Sequence, residues 1–126
     1  MEIYAEVAKD AELAELEQQH LSGIELINAV GFNAQAGAKH EELENLLHYG
    51  IVRSLSNPQV ENSYRRIHNH LRLIRVYNRW TASSAARSLG EHLNIIRACK
   101  SRDPKAAVEA LRAHFSAGLQ RMLGIL

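Results

Sequence analysis

A Ser-Arg-Asp-Pro break at residues 101–104 divides the last third of the chain into two amphipathic arms, and it constrains the fold more than any other stretch. Upstream, Ala85, Leu89, His92, Ile96 and Cys99 recur at steps of three and four. Downstream, Ala107, Leu111, His114, Gly118 and Met122 keep the same period. Each set marks one buried face of a helix. Asp103 suits an N-cap and Pro104 the first helical turn, where a missing N–H costs nothing. The pattern predicts helices over residues 83–100 and 104–123, folded back as an antiparallel hairpin. With the turn centred between Arg102 and Asp103, His92 and His114 each lie roughly 15–17 Å along their arms, at about 1.5 Å per residue. They are expected to come level on facing inner sides. Two imidazoles meeting inside a bundle is the arrangement a divalent metal needs.

The preceding chain reads the same way. Asp10 opens a helix over residues 10–29 with an apolar stripe of Leu13, Leu16, His20, Ile24 and Ile27. Residues 1–9 are short and read as the tail of a helix. Residues 31–37 carry Gly31, Asn33 and Gly37 and read as a loop. A helix over residues 39–55 turns Glu44, Leu47, His48, Ile51 and Leu55 inward, and Ser56-Asn57-Pro58 stops it, because a residue before proline avoids the helical region. Another over residues 59–80 is expected to bury Val60, Tyr64, Ile67, Leu71 and Ile74. Two prolines and few β-branched runs complete the case for an all-α antiparallel bundle of five to six helices, with residues 1–126 as a single domain.

Charge and cysteine content remove whole classes of function. Fifteen basic and fourteen acidic residues leave a net charge of +1, which gives no electrostatic case for nucleic acid or an anionic membrane surface. The single cysteine, Cys99, excludes an intrachain disulfide and Cys-rich zinc motifs, and its stripe position suits a small buried hydrophobe. No apolar run has the length of a membrane span and no signal-peptide core is visible, so a cytoplasmic location is expected.

Seven histidines are many for this length. Glu44 and His48 are four apart, hence neighbours on one face, and both interrupt an apolar stripe. A carboxylate turned toward a core is costly unless paired or metal-bound. With His92 and His114 they form a three-histidine, one-carboxylate set suited to zinc, nickel, iron or manganese. Any one of these histidines alone is more simply a hydrogen-bonded core residue; the hairpin alignment is what favours the set. Glu17-x-x-His20 matches half of a di-iron pattern, whose second copy is missing. His40 is expected to be solvated and His70 exposed. His68 borders the face of Tyr64, Leu71 and Arg75 and is expected to line a cavity. Arg65, Arg66, Arg72 and Arg79 read as a solvated face, whereas an inward Arg75 would hold a carboxylate ligand bidentately.

Residues 91–114, Glu-His-Leu-Asn-Ile-Ile-Arg-Ala-Cys-Lys-Ser-Arg-Asp-Pro through to the final Ala-His, resemble the closing signature of the FCD domain, the effector-binding domain of FadR-type GntR transcriptional regulators. Glu44-Asn-Leu-Leu-His48, followed by Ser56-Asn57-Pro58, is similar to that family's Asp-x-x-x-His and Gly-Asn-Pro segments. The resemblance implies a helical bundle around a metal held by Glu44, His48, His92 and His114. It also implies that residues 1–126 are a single ligand-binding domain, that the effector is a small organic acid touching the metal, and that the regulator is a homodimer. Three departures stand out: Glu44 replaces the usual aspartate, the opening helix is shortened at residues 1–9, and DNA is expected only through a winged-helix domain that these residues do not contain. Two other classes fit the residues without the resemblance. One is a metal-dependent hydrolase using an open zinc site; the other is a metal-free helical interaction module.

Overall fold

The computed structural model describes residues 1–77 and 80–124, and of residues 75–77 the backbone alone. The described residues form six helices and no strand: α1 (Glu2–Val7), α2 (Asp10–Val30), α3 (Ala34–Arg53), α4 (Pro58–Tyr77), α5 (Ala82–Lys100) and α6 (Pro104–Met122). Helix α5 is the central element, packed against α2 on one side and α6 on the other. Helix α3 covers α2, α4 leans on α3, and α1 lies across α5 and α6.

The hairpin forms where the sequence places it. Thr81 caps α5 by accepting from the Ser84 amide, and Asp103 caps α6 by accepting from the Ala106 amide. Between them Arg102 adopts φ 53°, the left-handed conformation that closes a helix. The Asp103 amide donates to the Ala98 carbonyl and the Arg102 amide to the Cys99 carbonyl, which satisfies the helix end. The Arg102 guanidinium donates to the Ala5 carbonyl and to Asp10, fastening the turn to α1 and α2.

The apolar core is divided in two. One cluster, with Tyr4, Leu13, Leu16, Leu47, Ile95, Ile96 and Cys99, fills the end near the hairpin turn. The other, with Ile27, Ala36, Leu43, Ala85 and Leu89, fills the opposite end. Along α2, α3 and α5 the residues between the clusters are His20, Glu44 and His92, all buried. The stripes are thus interrupted at one common level, and a polar layer crosses the bundle there. At the second cluster Gly23 permits close approach, since a Cβ there would stand 2.8 Å from Leu43 Cδ1 and 3.2 Å from Leu89 Cδ1.

Three expectations are corrected. Helix α3 begins at Ala34, not near residue 39, because the Asn33 side chain accepts from the Ala36 amide and starts the helix earlier. His40 is therefore in the second turn, on the inward face, and is buried between the rings of Phe32 and Trp80. Helix α4 does not bury its stripe: Val60, Ile67 and Ile74 are 36%, 55% and 42% exposed. It has one main neighbour, α3, and its apolar side borders a cavity instead of a packed helix. The short N-terminal helix α1, Glu2–Val7, completes the expected five to six, with Tyr4 and Ala5 in the core.

Cys99 is fully buried, and burial pushes its thiol up to about 11. Alkylation needs the thiolate, so native protein at about pH 8 is expected to react at least roughly 100-fold more slowly than protein in urea. Equal rates in the two conditions would place Cys99 at the surface.

Candidate metal centre

The polar layer brings four side chains from three helices to one point. Glu44 and His48 come from successive turns of α3, His92 from α5 and His114 from α6. One ligand-type atom from each lies within 4.8 Å of every other. The three Nε2 atoms form a triangle: His48–His92, His92–His114 and His114–His48 are each 3.2 Å apart. The Glu44 carboxylate closes over it, with Oε1 3.3 Å from His92 Nε2 and Oε2 3.5 Å from His48 Nε2. Ser88 donates to Glu44 Oε1 and fixes the carboxylate from the α5 side.

Simple proton counting shows what this triangle fits. A neutral imidazole nitrogen either bears a hydrogen or offers a lone pair. Of three nitrogens in mutual contact, at least two must then be alike, so one pair meets hydrogen to hydrogen or lone pair to lone pair. Outer contacts sharpen the conflict. His114 Nδ1 is 2.7 Å from Glu91 Oε1 and donates to it, which leaves Nε2 bare. A cation among the lone pairs removes the repulsion. Two ligands about 2.0–2.1 Å from one ion, at angles of about 90–110°, stand about 2.8–3.4 Å apart; the observed 3.2 Å falls in that range. The residues present fit a divalent metal.

Charge follows the same geometry. Burial alone would raise the Glu44 carboxyl, but its close contact with His92 and the fields of His92, His48 and His40 together hold it well below the usual carboxylate range. Burial pushes the His92 imidazole down to about 3 against the pull of Glu44. An ionised carboxylate beside a neutral imidazole is the protonation state that ligates a metal.

Beyond the four, Glu91 joins two groups. It accepts from His114 Nδ1 and takes both terminal nitrogens of Arg121 at 2.7 Å. The Arg121 guanidinium also stands 5.7 Å over the Trp80 ring. His20, on α2, lies behind His92 with its Nε2 3.0 Å from His92 Nδ1. Neither Glu91, Arg121 nor His20 was legible as part of the site from periodicity. The signal for Glu91 was present, because residues 91 and 114 lie equally far from the hairpin turn centre. Glu17 turns away from His20 and pairs with Lys100 and Arg97 on the surface, so the half di-iron pattern forms no site.

A cavity of about 450 Å³ opens beside the four residues and reaches Glu44, His48 and His114. Tyr64, Ile67, His68 and Leu71 of α4 form one wall, and Phe115, Leu119 and Met122 of α6 form the other. Tyr64 stacks on His68, whose Nε2 is 2.8 Å from Glu41. Tyr64 and His68 thus border the cavity, while the Arg75 side chain lies outside the described residues. His70 is exposed.

The family model of the FCD domain matches residues 1–117 of this chain. The chain belongs to the FCD family. Neither curated proteins nor solved structures gave a match. FCD domains are regulatory effector-binding modules of GntR regulators, which act with small-molecule effectors, and they are often metal-binding. Among the described residues, no helix of this FCD domain is long and apolar enough to cross a membrane.

Proposed function

We propose that this FCD domain is the metal-containing sensor of a GntR-type transcriptional regulator and responds to a small organic acid. The observation that carries the reading is the triangle of Nε2 atoms at 3.2 Å, which neutral imidazoles alone do not satisfy. Glu44, His48, His92 and His114 would hold the ion, with zinc or nickel best suited to the imidazole-rich set. When bound, the ion supplies positive charge and coordination positions to a ligand. The cavity offers a route to Glu44, His48 and His114. Cytoplasmic location, a homodimer, and DNA engagement through a winged-helix domain belong to the same reading, as does residues 1–126 acting as one domain.

Charge balance selects the ligand. A divalent ion with one carboxylate and three neutral imidazoles keeps one positive charge in a largely buried site. One ligand carboxylate neutralises it. A second carboxylate would exceed that charge, and it would lie beside Ile67, Leu71 and Phe115, which line the cavity. The proposed effector is a monocarboxylate with an apolar body, its carboxylate toward the histidines. Tyr64, His68 and Arg75 are the proposed effector-facing residues on α4.

Thermal-shift screening tests this. Apolar monocarboxylates are expected to raise the melting temperature of metal-loaded protein, dicarboxylates less, and neither to act on chelated protein. His68→Ala should keep the metal and weaken the effector. Stabilisation by neutral or cationic compounds alone would refute the assignment.

A further inference from the structure

We propose that His20 is a positioning residue that sets the tautomer of His92 and so keeps the Nε2 lone pair of His92 directed at Glu44, His48 and His114. This rests on the metal reading above. It concerns a side chain on α2, outside the ligand set and the helices that carry it.

The assignment starts at a group whose role is fixed. A backbone carbonyl can only accept. His20 Nδ1 lies 2.7 Å from the Leu16 carbonyl and therefore carries a hydrogen. His20 is fully buried with its two ring nitrogens turned to neutral groups, the Leu16 carbonyl and His92, so no anion in contact balances a charged ring there. A neutral ring with a hydrogen on Nδ1 has a lone pair on Nε2. That lone pair stands 3.0 Å from His92 Nδ1, so His92 Nδ1 donates to it. The His92 hydrogen is then spent on the far side of the ring, and Nε2 is bare.

Without His20 the opposite tautomer would win. The Glu44 carboxylate lies 3.3 Å from His92 Nε2 and is the stronger acceptor. Left alone, it would draw the hydrogen to Nε2 and occupy the lone pair. His20 opposes this from the other side of the ring. It does for His92 what Glu91 does for His114, where Nδ1 donates across 2.7 Å. Orienting partners of this kind typically alter metal affinity by about 10–100-fold. The use of a second imidazole adds no charge to a fully buried position.

Two measurements on the full chain decide the matter. Long-range ¹H–¹⁵N NMR of metal-free protein reads which nitrogen of His92 carries hydrogen. Competition with a chromophoric chelator reads zinc affinity. Wild type is expected to show His92 Nδ1–H. His20→Leu should shift hydrogen toward Nε2 and weaken zinc by about 10–100-fold. His20→Gln, whose side-chain oxygen can accept, should restore Nδ1–H and most of the affinity. Hydrogen on His92 Nε2 in wild type, or zinc affinity unchanged in a folded His20→Leu, would overturn the proposal. If His20→Leu fails to fold, the wild-type tautomer alone decides it. If wild type takes no zinc, the metal reading fails separately, and retention or loss of Nδ1–H in the variants still decides the role of His20.

Discussion

His92→Ala and His114→Ala are expected to lose the metal, whereas wild type retains about one ion per chain. Each variant removes one corner of a triangle whose edges are 3.2 Å. The loss should exceed the roughly 100-fold that outer partners cost, because a ligand itself is gone. A metal bound only by the folded state at about a thousand times its Kd stabilises it by about 4 kcal/mol. For a domain of this size that is a melting-temperature shift on the order of 10 °C or more. Chelated wild type should fall by the same amount, and chelation should leave His114→Ala unchanged. Glu44→Gln should be intermediate: it keeps the bond from Ser88 and removes the charge. His70→Ala, at an exposed position, should bind as wild type. Metal content per chain across the set settles it. Equal losses in His70→Ala and His114→Ala would sink the four-residue site, and so would a metal-free wild type whose melting is unmoved by added zinc or nickel.

The parts of this fold legible in the sequence are those governed by local rules. Asp103-Pro104 and the three-four period fixed the hairpin because capping and amphipathicity act within a few residues. Level pairing followed from helix rise alone, and it brought His92 and His114 together. What stayed hidden depends on which helix faces which. The stripe of α4 reads as a core stripe, yet Ile67 is 55% exposed, because periodicity reports an apolar face and not what covers it. Asn33 was visible as a turn former but not as the cap that starts α3. His40 was therefore placed in solvent when it is buried.

The outer residues of the site were hidden for a different reason. His20 sits on the predicted stripe of α2, but its value lies in one contact with α5 that no spacing rule encodes. Arg121 lies beside Met122 in the last turn of α6, off the apolar stripe, and no spacing rule gives it a partner. Its significance appears only when Glu91, six residues past Ala85 at the start of the α5 stripe, is seen to hold both Arg121 and His114.

Glu91 should consequently be costlier to lose than Arg121. The Arg121 side chain is 3% exposed and that of Glu91 22%. Glu91→Leu strands a buried guanidinium, because both terminal nitrogens of Arg121 donate to that one carboxylate. Breaking a buried pair in this way costs about 3–5 kcal/mol. Arg121→Met leaves a carboxylate that still accepts from His114 and reaches water, so its cost should be clearly smaller. The double variant should be more stable than Glu91→Leu alone, because the stranded charge goes with its partner. Metal affinity should sort the same variants differently. It should fall in Glu91→Leu and in the double variant, where His114 Nδ1 has lost its acceptor, and hold in Arg121→Met. Urea midpoints and chelator competition on the three proteins test both orders. Glu91→Leu no less stable than Arg121→Met would mean that the guanidinium escapes to solvent. Unchanged affinity in Glu91→Leu would mean that the His114 ring is oriented by its packing and not by this carboxylate.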